Sequence, residues 1–337
     1  MRRLPIFFLI DVSESMVGEP IRKVNEGMKT ILLHLKGNPM ALETAYISVI
    51  AFAGKAVMTA PLTELIPFNA PELFIGGGTA LGNAMNFLMD EMGKQVQKTT
   101  YEKKGDWKPI VFLLTDGAPT DDISAAVKRW HSDFRNRANL VAISFGNQAD
   151  TSVLKQFTDN VLIFDNTDAS AYEEFFKWIS SSIETKSMNI ALSPGDEFQL
   201  PDTDGVILQK EDLCKKKHAG SDERFAILLA RCQKTGKPYL IKYLKESPRK
   251  YGLDGAYMIS EDYFRLSSKD HGSPAINTSH FESVPLCPEC GNPGLAFCAC
   301  GSLFCVGKSR DNRCPWCKEE ITLESGGAGF DISRTQG

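Results

Sequence analysis

The chain has 337 residues, 42% of them apolar and 24% charged, and a formal net charge of −4. This is the balance of a globular protein with room for two domains or slightly more, and it excludes the basic surplus that nucleic acid or an acidic membrane surface would attract. No apolar run approaches the ~20 residues that span a bilayer. The run after Arg2 and Arg3 breaks at Asp11 without a small-residue cleavage site, so it reads as neither a signal peptide nor a membrane segment. A cytoplasmic protein is expected.

The first stretch alternates strand and helix patterns, which predicts a doubly wound, mainly parallel α/β sheet with helices on both faces. Residues 6–10 form a continuous apolar run, as a strand buried on both faces would. From Pro20, Ile21, Val24, Met28, Ile31, Leu32 and Leu35 recur at helical spacing. YISVIAF (46–52) is the next strand, and VMTAPLTEL (57–65) extends it or pairs with it. The glycines Gly76–Gly78 interrupt the pattern, and Leu81, Ala84, Met85, Leu88 and Met92 then mark a second amphipathic helix. IVFLLT (110–115) is again a buried strand. Ile123, Ala126, Val127, Trp130 and Phe134 predict a third helix. LVAISF (140–145) and VLIF (161–164) are strands, and Tyr172, Phe175, Phe176, Ile179 and Ile183 close the unit with a helix.

After Ser187 the texture changes to turn-rich sequence with short apolar segments, RFAILLARC (224–232) and PYLIKYL (238–244). The expected division is a first domain over 1–187, a β-rich region over 188–284, a cysteine-rich module over 285–323 and a mobile tail over 324–337. KKK (215–217) reads as a solvated face. Cys232, inside an apolar run, reads as a small buried hydrophobe.

Asp11, Ser13 and Ser15 follow the first buried strand at alternate positions. Thr79 ends a glycine run at a helix start, and Asp116 follows the strand IVFLLT. In open α/β sheets ligands bind beyond the carboxyl ends of the strands. If the first and fourth strands lie near each other, all three loops meet at one edge. Two carboxylates and three hydroxyls are hard oxygen donors that suit magnesium, or manganese or calcium in its place, and they leave a coordination position free for water or a partner's carboxylate. The glycines would let backbone approach the ion closely. The alternative is that Ser15 caps a helix and Asp116 holds a turn. Thr120, Asp121 and Asp122 read as caps of the helix at Ile123.

Seven of the nine cysteines fall between Cys287 and Cys317. In a cytosolic chain such a cluster points to metal rather than disulfides. The C-x-x-C pairs Cys287/Cys290 and Cys314/Cys317 suit two knuckles on one tetrahedral zinc, and they are the primary ligands expected. Cys298, Cys300 and Cys305 leave the count open. Either one zinc takes four of the seven, or two zincs share seven cysteines and one histidine, for which His280 is the nearest candidate. A module this small needs its metal to fold.

Asp-x-Ser-x-Ser, then Thr after glycines, then Thr-Asp-Gly after a buried strand, resembles the von Willebrand factor A domain over residues 4–186. The resemblance implies a Rossmann-like fold and a metal-ion-dependent adhesion site in which Ser13, Ser15 and Thr79 ligate directly and Asp11 and Asp116 ligate directly or through water. CGSLFC resembles part of a RING finger, but Ser302 and Lys308 stand where that family has ligands; zinc ribbon or treble clef is the nearer description. The adhesion-site set, RFAILLARC…PYLIKYL and CPEC…CACGSLFC…CPWC together resemble the TerY tellurite-resistance family with its TerY-C metal-binding domain. That resemblance implies a scaffold or target in a bacterial stress circuit with a protein kinase and a metal-dependent protein phosphatase. None of the five histidines adjoins a nucleophile motif, and G-x-S-x-G, H-E-x-x-H and P-loop patterns are absent from the sequence. The expected function is therefore non-enzymatic binding through an ion that accepts an acidic side chain of a protein partner. The alternative is a RING-like ubiquitin ligase that selects substrates with its A domain.

Overall fold

The computed structural model describes residues 2–102, 104–116, 118–145, 151–164, 169–192, 200–201, 208–210, 224–268, 275–309, 311–322 and 329–335. The lysine run 215–217, Cys214 and Gly117 lie outside them.

Strand β1, Leu4–Asp11, is buried at all eight positions. Period-two alternation sends its side chains to opposite layers. Phe8 and Ile10 join one buried cluster, which also holds Val24, Met28, Ile31 and Leu35 of helix α1, Glu19–Lys36. Phe7 and Leu9 join a second cluster on the other face. Helix α2, Pro39–Thr44, was not visible as a periodic pattern. It is set by Pro39 at its first turn and by Asn38, whose side chain accepts from the amides of Met40 at 3.0 Å and Ala41 at 3.2 Å. Strand β2, Ala45–Phe52, runs parallel to β1, and β3, Ala56–Glu64, pairs antiparallel with β2 as a half-exposed edge.

Helix α3, Leu81–Gln95, packs Leu81, Met85, Leu88 and Met92 into the second layer. Strand β4, Ile110–Thr115, lies parallel to β1 on the side opposite β2. Phe112 stacks on Phe8 at 5.4 Å. The helix expected over Ile123–Phe134 is divided: α4 is Ser124–Arg129, and Trp130–Phe134 is a wider π-helical turn closed by Arg135 N–H on the Trp130 carbonyl at 2.9 Å. That turn buries Trp130 in the second layer. Strand β5, Asn139–Phe145, helix α5, Thr151–Lys155, strand β6, Val161–Phe164, and helix α6, Ala169–Leu192, complete the winding. A short β7, Leu208–Lys210, adds an antiparallel edge to β6.

The seven-stranded order is β3-β2-β1-β4-β5-β6-β7, so the strand sequence reverses between β1 and β4. This is the switch point where an open α/β sheet leaves a crevice at the carboxyl ends of its strands. Arg3 forks onto Asp106 at 2.8 and 2.6 Å, and Arg2 lies over Trp107 at 3.6 Å. These contacts pin the start of β1 to the segment that leads into β4.

A second sheet follows. Strands β8, Phe225–Arg231, β9, Pro238–Ser247, and β10, Lys250–Met258, form an antiparallel meander, followed by helix α7, Asp262–Leu266. Strand β11, Ala275–Asn277, comes next, then β12, Gly294–Phe297, and β13, Leu303–Val306. The order is β10-β9-β8-β13-β12, with β13 parallel to β8. One sheet therefore crosses the boundary expected at residue 284 and joins the β-rich region to the cysteine module. Strands β14, Asp311–Arg313, and β15, Glu320–Thr322, form a small hairpin. The expectation of a mobile tail over 324–337 is corrected for 331–335. Strand β16, Asp331–Ser333, pairs with β11, Ile332 is buried, and Thr335 N–H donates to the Ile227 carbonyl at 2.8 Å. Strand pairing, the buried Ile332 and a Phe330 ring stacked on Phe297 at 5.5 Å hold a segment of otherwise polar sequence.

The two units share one core. Ile227, Leu240, Tyr263 and Leu266 belong to the same buried cluster as Phe8, Ile10 and α1. No helix among the described residues is long and apolar enough to cross a membrane.

Candidate metal centres

Asp11, at the last position of β1, and Asp116, just beyond β4, meet at the sheet's switch point. Asp11, Ser13, Ser15, Thr79 and Asp116 are all buried. Ser13 N–H donates to Asp11 Oδ1 at 2.9 Å, which curls the loop back on the strand end. The hydroxyls of Ser13 and Ser15 lie 2.9 Å apart, and Ser15 Oγ donates to Asp116 Oδ1 at 2.7 Å. Thr79 joins through the backbone: its N–H donates to Thr120 Oγ1 at 3.0 Å, and Thr120 N–H returns to the Thr79 carbonyl at 2.8 Å. The three loops anticipated from sequence thus converge at one edge.

Sequence reasoning missed two members of the surround. Thr115 Oγ1 donates to Asp11 Oδ2 at 2.6 Å, and Glu14, between the two serines, is buried and accepts from the Tyr263 hydroxyl. The capping expectation holds only for Asp122, which accepts from Ser124 N–H at 2.9 Å. Asp121 instead accepts from Gly82 and Asn83 N–H at 3.0 and 2.8 Å, capping α3, and Thr120 holds Thr79.

Burial, reinforced by the Asp116 charge, pushes the Asp11 carboxyl up to about 7, against the hydrogen bonds from Thr115 and Ser13. A divalent ion would replace that proton and spread the charge over both carboxylates. Asp11 binds the proton in the metal-free fold at pH values where an ordinary aspartate does not, so the ion must displace it below about pH 7. Affinity for Mn2+ is expected to climb by up to about tenfold per pH unit between pH 5 and 7, and to level off above that. Calorimetric titrations at several pH values check this; a flat profile would contradict it.

The cysteines fall into two groups of four. The sulfurs of Cys232, Cys287, Cys290 and Cys305 all lie within 4.8 Å of one another, as do those of Cys298, Cys300, Cys314 and Cys317. Tetrahedral Zn–S bonds of ~2.3 Å imply sulfurs about 3.8 Å apart. The Cys290–Cys305 and Cys298–Cys317 separations are 3.6 Å and the Cys300–Cys314 separation is 3.9 Å. The two expected knuckles do not share a site: Cys287/Cys290 belong to the first group and Cys314/Cys317 to the second. Cys232 supplies the eighth thiol, in place of the expected His280, which joins neither group. Ser302 and Lys308 are in neither group as well. Each turn closes locally. Gly291 N–H donates to the Cys287 carbonyl at 2.9 Å, Gly301 N–H to Cys298 at 2.8 Å, Lys318 N–H to Cys314 at 3.0 Å and Gly236 N–H to Cys232 at 2.8 Å. Gln233 N–H reaches Cys305 Sγ at 3.3 Å, the sort of supporting contact that orients a metal thiolate. All eight of these thiols are free of disulfides.

The winding and the oxygen-lined edge define an α/β domain of the von Willebrand A class. The family model for the von Willebrand factor type A domain matches residues 6–178, and the chain belongs to that family. Residues 222–337 match the model of the TerY-C metal binding domain. No curated protein matches the chain. Among solved structures, a von Willebrand factor type A protein from Catenulispora acidiphila is 13% identical, over 81% of this chain and 70% of that one, with a TM-score of 0.44. The mussel byssus proximal thread matrix protein 1 is 16% identical, over 54% and 48%, at 0.41. The pilus adhesin SpaC of Lactobacillus rhamnosus GG, in its open conformation, is 13% identical, over 55% and 30%, at 0.41. The chain spans less than half the length of the last two.

Proposed function

We propose that the chain is a non-enzymatic, metal-dependent protein-binding scaffold of the cytoplasm. Its A domain binds one divalent ion, magnesium or manganese, through Asp11, Ser13, Ser15, Thr79 and Asp116, and the ion accepts a carboxylate from a partner protein. Its C-terminal unit holds two structural zinc ions, each on four thiolates. The observation that supports this most is the meeting of Asp11, Ser13, Ser15 and Asp116 in one buried hydrogen-bonded set at the switch point. An ion there would satisfy several oxygens at once, and its remaining coordination position gives a strong contact from little buried area. The resemblance to the TerY family supplies the finer reading: a tellurite or stress response with a protein kinase and a metal-dependent phosphatase as partners.

Asp11→Ala tests the adhesion site. The variant is expected to keep its fold by circular dichroism and to lose at least 100-fold in Mn2+ affinity by calorimetry. Unchanged Mn2+ binding would overturn the assignment.

A further inference from the structure

The carboxyl edge of the first sheet is covered by the C-terminal unit. Lys242 of β9 is 6% exposed, and its ammonium donates to the Ser15 carbonyl at 2.7 Å. Arg224 donates to the Asp116 carbonyl at 2.8 Å. The Tyr263 hydroxyl of α7 donates to Glu14. Ser267 Oγ accepts from Gly77 N–H at 2.8 Å, and the Leu266 carbonyl accepts from Lys55 N–H at 2.9 Å. Each of the three loops that carry the oxygen donors is thus bonded by this unit.

The glycine run serves the same contact. A Cβ on Gly76 would stand 2.5 Å from Leu266 Cβ, and one on Gly77 would stand 2.9 Å from both Ser267 Oγ and the Tyr263 hydroxyl. These glycines admit α7 and the residues after it.

We propose that the C-terminal unit is the built-in occupant of the adhesion site: Lys242 and Arg224 stand where an acidic partner would reach the ion, and docking of this unit opposes loading of the ion. The inference rests on the ion reading of the site given above. The Lys242 ammonium is one hydrogen bond from the main chain of a ligand residue. An ion on the Ser15 hydroxyl would therefore lie within about 9 Å of it. So little water reaches the site that the repulsion between the two cations is weakly screened. Asp11, Glu14 and Asp116 lie in the loops that Lys242, Tyr263 and Arg224 bond. A divalent ion there adds two positive charges close to Lys242 and Arg224. The ion then favours conformers in which Lys242 has withdrawn, and by linkage docking weakens the ion by the same factor. A carboxylate offered by a partner takes the vacated place and restores the charge balance.

The test uses the full chain with its zinc sites loaded and Mn2+ as the probe, since thiolate sites prefer zinc to manganese. Free Mn2+ is followed by electron paramagnetic resonance for wild type and Lys242→Met. Amide hydrogen exchange at Lys55 and Gly77 is followed in wild type with and without saturating Mn2+. Lys242→Met is expected to bind Mn2+ at least tenfold more tightly, and Mn2+ is expected to speed exchange at both wild-type amides at least tenfold. Failure of either arm overturns the inference, and the exchange arm needs no variant. If both proteins bind Mn2+ equally and exchange is unmoved, the ion reading stands and the built-in occupant falls. If neither binds Mn2+, the ion reading falls and takes this inference with it.

Discussion

Cys232→Ser is expected to lower the zinc content of the purified chain from two ions to one. Cys232 is fully buried at the end of β8, while its three partners, Cys287, Cys290 and Cys305, lie in the C-terminal cysteine segment. Cys305 sits on β13, the strand that pairs parallel with β8. The first thiol group therefore clamps the two halves of the second sheet together, and losing one ligand opens the clamp. Structural zinc contributes roughly 10–16 kcal/mol of apparent binding free energy, so losing one of four thiolates should cost on the order of 3 kcal/mol or more. For a unit of this size that lowers the melting temperature by more than about 10 °C. Metal release after denaturation, read with a colorimetric zinc indicator, gives the count. His280→Ala is the control and should retain both ions. Two zincs in Cys232→Ser would mean that the first group is closed in some other way.

Leu266→Ala is expected to destabilise the chain by about 2–5 kcal/mol. The side chain is 2% exposed and lies in the buried cluster that contains Phe8 and Ile10 of β1. Alanine keeps the Cβ that touches Gly76 and removes the atoms that fill the joint between the units. Both units should respond because they share this cluster. In urea, the fluorescence of Trp107, Trp130 and Trp178 reports mainly on the first unit, and zinc release reports on the second. Both midpoints should fall together. A shift in zinc release alone would show that the A domain does not depend on the joint.

The parts of the molecule that were legible in sequence are those set by local pattern. β1 is buried on both faces, and its apolar run said so. The alternation of strands with amphipathic helices gives the winding, and Asp11 and Asp116 stand where the apolar runs of β1 and β4 stop. What was not legible depends on contacts distant in sequence. Cys232 reads as one more apolar residue at a strand end; the signal that could have found it is the turn to Gly236 behind it, together with a cysteine count one short of eight. Lys242 carries a similar signal, a lone cation within PYLIKYL, and its ammonium meets the Ser15 carbonyl and the Phe225 ring. The π-helical turn at Trp130 keeps the apolar spacing of a plain helix, and the tail is held by the β16–β11 pairing, the buried Ile332 and the Thr335 amide.

Anomalous X-ray scattering at the zinc and manganese edges, on crystals grown with Mn2+, tests the three proposed metal centres most directly. A zinc peak is expected inside each group of four thiols, and a manganese peak bounded by Asp11, Ser13, Ser15, Thr79 and Asp116. A single zinc peak, or manganese found only away from the end of β1, would contradict these assignments.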